Sequence, residues 1–217
     1  MQALERHFSS QDWITIIFIA CLFLLVIAKN QYPKRFQEFS SLLTSSKFIA
    51  FKGKENKAFH GFNIIMFIIQ ALSVSLFIFI IYPYFLPASK SPILLFIRIF
   101  TAYSCFILLK FGVEKIIGNI FNLDSKIDYY LFQKFTYRNF IGIFLLITTL
   151  FLVYTFQPNL LFLYIIAGIA LAANAIALFN IFKKNQNLLT ANWFYFILYL
   201  CALEIAPYII LYKLITI

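Results

Sequence analysis

Residues 62–82 read FNIIMFIIQALSVSLFIFIIY, without one charged side chain, and Pro83 ends the run. A hydrocarbon core of ~30 Å takes about 20 apolar residues in a helix that rises ~1.5 Å per residue. This stretch fits that length, and five more resemble it. They occupy 13–28, 92–114, 140–156, 160–182 and 191–214. The pattern predicts an all-α polytopic membrane protein, a single bundle of about six transmembrane helices over 1–217.

Composition points the same way. Hydrophobic residues make up 63% of the chain and charged residues 12%. An ordinary soluble domain has roughly 45–50% and 25%. A chain this apolar lacks the polar surface to cover itself in water, whereas in a bilayer that surface faces lipid. The first segment competes with a cleaved signal peptide. Glu5 and Asp12 precede it, and Lys29-Asn30-Gln31 follow it in place of a small-residue cleavage pattern, so a retained helix is expected.

The net charge of +10 sits in the connections. Lys29, Lys34, Arg35, Lys47, Lys52, Lys54 and Lys57 fall in 29–61. Lys115, Lys126, Lys134 and Arg138 fall in 115–139, and Lys183 and Lys184 follow the fifth segment. The opposite side carries only Arg6, Lys90 and Lys213. Lysine and arginine mark cytoplasmic connections. Both termini are therefore expected outside the cytoplasm, with 29–61 and 115–139 inside. Charge placed this way orients a membrane protein and makes no case for nucleic acid. In 29–61, Phe36, Phe39, Leu42 and Leu43 recur at helical spacing, which suits a short helix on the inner membrane surface. The lysines after it would face anionic headgroups.

Ionisable groups at membrane depth are costly and usually partnered. Arg98 falls ~9 Å below the outer end of the third segment, and Glu204 ~15 Å below that of the sixth. The two depths permit a pair if those helices are neighbours. Pro207 removes a backbone donor and frees the Leu203 carbonyl. Tyr208 shares a face with Glu204. A carboxylate, a free carbonyl and a phenol at a helix break could serve a carrier, or Glu204 and Arg98 could simply tie two helices. Lys110 and Glu114, four apart, read as an interfacial pair with Lys110 snorkelling inward. Gly168 and Ala172 form a small-residue stripe beside Asn174, a pattern that lets helices approach and hydrogen-bond. Gln70 adds to the polar interior.

Catalytic motifs such as GxSxG, HExxH, the P-loop or GxGxxG do not occur. Asp124 and Asp128 could hold Mg²⁺ at a phosphate, but Lys126 lies between them, and a solvated face is the simpler reading. Cys21, Cys105 and Cys201 lie in apolar stretches without metal spacing, and His7 and His60 lie outside the spans. Neither a metal nor a cofactor is expected.

Two stretches carry a resemblance. One is Tyr130-Leu131-Phe132-Gln133-Lys134 with Tyr137-Arg138-Asn139-Phe140-Ile141-Gly142. The other is 195–212 with Glu204, Pro207 and Lys213. In these the chain resembles a family of Bacteroidetes inner-membrane proteins known only as a domain of unknown function. The resemblance implies a bacterial inner membrane and supplies no activity or site residues. The leading expectation is a non-enzymatic subunit or scaffold with membrane-protein partners. A small transporter built on Arg98, Glu204 and Tyr208, and a membrane enzyme on a lipid-linked substrate, stand as alternatives.

Overall fold

The structure is a computed structural model that describes residues 12–40, 60–85, 91–120, 124–155 and 160–184. Every element among them is helical. They are α1 (Asp12–Gln31), α2 (Pro33–Ser40), α3 (Gly61–Ile81) with a short 3-10 turn (Tyr82–Tyr84), α4 (Pro92–Ile120), α5 (Asp124–Tyr154) and α6 (Leu160–Lys184). Among the described residues, five helices are long and apolar enough to cross a membrane. The expected sixth segment, 191–214, lies outside the described residues.

Local chemistry sets the helix ends. Asp12 in the first turn of α1 and Lys29 in its last suit the helix dipole. Pro33 opens α2, where its missing N–H costs nothing. His60 caps α3, its Nδ1 accepting the Phe62 N–H at 3.3 Å. Burial, with Arg35 nearby, pushes the His60 imidazole below its ordinary pKa. Pro83 then tightens the far end of α3 into the 3-10 turn.

α3 is the centre of the bundle. It packs on α1, α4 and, most extensively, α5, while α6 lies mainly against α5. Short connections make α4 antiparallel to α3 and α5, which run in the same sense. Aromatic contacts join the helices at both ends. Trp13 meets Phe79 and Phe96 at one end, with ring centroids 5.1 and 5.5 Å apart. There Thr15 also shares a 2.6 Å hydrogen bond with Tyr154. Tyr32 meets His60 and Phe62 at the other, more basic end. Phe39 packs on Phe62 and Phe140, so α2 is docked against the bundle through this ring. Leu42 and Leu43 lie outside the described residues.

Exposure is inverted relative to a soluble protein. Leu109 is 70% exposed and Leu171 71%, while Gln133 and Thr149 are fully buried. Buried hydroxyls turn back onto their own helices: Ser73 donates to the Ile69 carbonyl, Thr136 to Phe132 and Thr149 to Leu145. Lipid accepts the outward apolar side chains, and bonds to their own helices satisfy these three hydroxyls. The chain is a multi-pass membrane protein.

The 115–139 connection differs from expectation. α4 continues to Ile120, and α5 begins at Asp124 rather than near 140. Polarity argued against a spanning segment, but a helix can outrun the bilayer. α5 has 31 residues, about 46 Å at ~1.5 Å each. Within its first half the polar Gln133, Lys134, Thr136 and Asn139 are buried where α3 and α4 pack on it.

Candidate functional site

Gly142 sets the geometry of the interior. A Cβ there would lie 2.8 Å from the Gln70 Cα and 2.6 Å from its Cγ. Any larger residue would push the α3 backbone away, so glycine permits the close crossing of α3 and α5. That crossing lays the Gln70 side chain beside α4. Gln70, 3% exposed, donates through Nε2 to the Tyr103 hydroxyl. Arg138, one turn before Gly142, donates through Nη2 to the same oxygen at 3.1 Å. Gln70 lies ~13 Å from the Gly61 end of α3, and Tyr103 ~16 Å from the Pro92 end of α4. The trio therefore sits near the middle of the bundle. Two buried amide oxygens here, Gln70 Oε1 and Asn139 Oδ1, have no hydrogen-bond partner among the described residues.

A second tier lies toward the basic end. Lys134 Nζ stands 2.5 Å from Glu114 Oε1, with side chains 8% and 3% exposed. The same ammonium lies 5.4 Å from the centre of the Tyr130 ring. Lys110, one turn before Glu114, is buried too and makes contacts of its own. The antiparallel register puts this tier level with the start of α3, where apolar span gives way to polar connection. A third pair, Lys115 with Asp128 at 2.5 Å, is more open.

The expected site residues are scattered by comparison. Arg98 is exposed on α4. Glu204, Pro207 and Tyr208 lie outside the described residues. Lys110 and Glu114 are both buried between the helices, and the partner of the Glu114 carboxylate is Lys134 of α5. Gly168 and Ala172 are exposed and Asn174 is half-buried. Among the described residues, a Cβ on Gly168 would meet nothing within 4 Å. α6 instead packs through Leu163 and Ile166, against Phe77, Leu145 and Leu152. Asp128 is engaged by Lys115, and the Asp124 side chain is not described.

Sequence reading assigns Gln70 to the polar interior, uses Lys134 and Arg138 only for orientation and the resemblance and Asn139 and Gly142 only for the resemblance, and does not name Tyr103. One signal was present: Lys134, Arg138 and Gly142 recur at four-residue spacing, which places them along one face of a helix. Composition hides that face, because 115–139 is polar enough to resemble a connection.

What the site can do follows from its groups. It holds a guanidinium, a phenol, two amides and a lysine–carboxylate pair, all hydrogen-bonding or charged and none arranged as an activated nucleophile. Such a set ties helices or binds a polar group. No curated protein and no solved structure matches this chain. Residues 14–215 match the family described as Domain of unknown function (DUF4271), nearly the whole length of the chain, and the chain belongs to that family.

Proposed function

We propose that this protein is a non-enzymatic subunit or scaffold of a membrane complex in a bacterial inner membrane. Its basic end would face the cytoplasm and its anionic headgroups, as lysine and arginine placement favours. The observation that carries the reading is the Glu114–Lys134 pair, closed in the interior between α4 and α5. A carrier must open its charged site to each side in turn. A closed interhelical pair spends its charges on holding two helices in register. The broad apolar exterior then remains for lipid and for other membrane proteins. Light scattering on the full chain, purified in mild detergent, tests this. A particle heavier than the 25.4 kDa chain, with a stoichiometric companion or further copies, is expected. A strict monomer that co-purifies with nothing overturns the reading.

A small carrier is the second reading, and the exposure of Arg98 favours it. This arginine faces outward from α4, ~9 Å below Pro92. Glu204, with Tyr208 and the break at Pro207, would supply its counter-charge. On this reading Glu204→Gln abolishes transport and leaves abundance and thermal stability intact. Reduced abundance and stability would assign Glu204 to structure instead.

A further inference from the structure

We propose that Arg138, Tyr103, Gln70 and Asn139 form a binding site for a phosphate group that also carries a hydrogen-bond donor, supplied either as free phosphate or by a phosphatidylglycerol headgroup. The argument begins with charge. Arg138 is half-buried in α5, and its hydrogen-bond partner is the Tyr103 hydroxyl, a neutral group. No carboxylate pairs with it among the described residues; Glu114 is held by Lys134 and Asp128 by Lys115. A guanidinium left uncompensated at membrane depth is costly, and an anion would offset that cost.

Hydrogen-bond capacity narrows the anion. The Tyr103 oxygen already accepts from Gln70 and from Arg138, so its own proton is directed elsewhere. Arg138 retains further N–H groups in a planar fork that suits an oxyanion. Those are donors. The buried oxygens Gln70 Oε1 and Asn139 Oδ1 are acceptors without a partner. Asn139 shares with Gly142 the α5 face that meets Gln70, so both acceptors border the same crossing. Chloride or a simple carboxylate would satisfy the donors and leave the acceptors bare. A phosphate bearing P–OH, or a phosphodiester with a glycerol hydroxyl, satisfies both sets. Gly142 is part of the site because its missing side chain lets Gln70 enter. This inference goes beyond the scaffold reading and does not depend on it.

The test uses the full chain in detergent, with thermal unfolding followed in potassium phosphate, chloride or acetate at matched ionic strength. A saturable rise in Tm with phosphate, absent with chloride and acetate, is expected, and R138Q should abolish it. Native mass spectrometry of protein taken from phosphatidylglycerol-containing nanodiscs reads the lipid source. Lipid retained by the wild type and lost from R138Q assigns the headgroup, and a phosphate response without retained lipid assigns the free anion. Should R138Q fail to fold, Y103F keeps the ring and removes one donor, and should weaken the wild-type ligand by about tenfold or more. The proposal is overturned if chloride or acetate stabilises as well as phosphate. It is equally overturned if the wild type shows neither phosphate response nor retained lipid, or if the variants bind as the wild type does.

Discussion

α6 and the α5 face that meets α3 and α4 both carry a glycine in a long membrane helix, yet the two glycines do opposite things. Gly142 stands at a crossing so close that a single methyl group would strike the Gln70 backbone. Gly168 meets nothing within 4 Å among the described residues. The polar residues divide in the same way. Around Gly142 they turn inward, and Gln70 of α3 and Arg138 of α5 meet on Tyr103 of α4. Around Gly168 the helix packs through a narrow apolar edge and leaves its small residues outward. Small residues allow close approach, but a facing helix with its own reason to stay is what turns allowance into packing. For α5 that reason is the polar seam, whose groups have no alternative partners in lipid.

Breaking the seam at its charged tier should have the largest effect. Glu114→Ala leaves the Lys134 ammonium buried without its carboxylate and should cost about 3–5 kcal/mol, read as lost Tm and reduced yield in detergent. A Glu114→Leu, Lys134→Met double variant should recover most of the loss, since it removes both charges. If the single and double variants lose equally, the pair does not couple α4 to α5. Gly142→Ala comes next, at about 1–3 kcal/mol destabilising, because the α3–α5 crossing must widen. Gly168→Ala is the matched control on α6. With no neighbour to strike, it should stabilise by up to about 1 kcal/mol through helix propensity alone. A destabilised G168A protein would mean that the outward face of α6 is covered. The more open Lys115–Asp128 pair is the smallest of the charge effects, and Lys115→Ala should cost no more than about 1 kcal/mol.

A pH dependence separates the interior from the basic end. The His60 Nδ1 accepts the Phe62 N–H only when it carries no proton, and burial and Arg35 hold its pKa low. As the pH falls through the ordinary histidine value of ~6.5, the unfolded chain takes up a proton that the folded chain refuses. The contribution of His60 is thus complete above that value and declines as pH falls from it toward the lowered folded value. Tm measured between about pH 7.5 and 5.5 should fall, and His60→Asn, which keeps a capping oxygen, should flatten the decline. An equal slope in both proteins would place the sensitivity elsewhere.

The sequence was most readable where lipid is the partner. The apolar runs at 62–82 and 160–182 coincide closely with α3 and α6, because a bilayer asks only for length and apolarity. The structure adds most to the reading at 124–139, which is helical. There Gln133, Lys134, Thr136 and Asn139 look like a solvated connection by composition, yet all four are buried. Composition reports what a residue would do in water or in lipid. It does not report that a neighbouring helix supplies a third environment.

By itself, then, the sequence determined the membrane, the helical class and the approximate position of most spans. Each of these follows from hydrophobic length and from the need to satisfy backbone groups within one segment. Only the tertiary structure decided that Glu114 belongs to Lys134, that Arg138 and Gln70 meet on Tyr103, and that Gly142 rather than Gly168 is the close contact. These are relations between segments distant in the chain. They depend on which helix faces are turned together, and no local pattern encodes that choice.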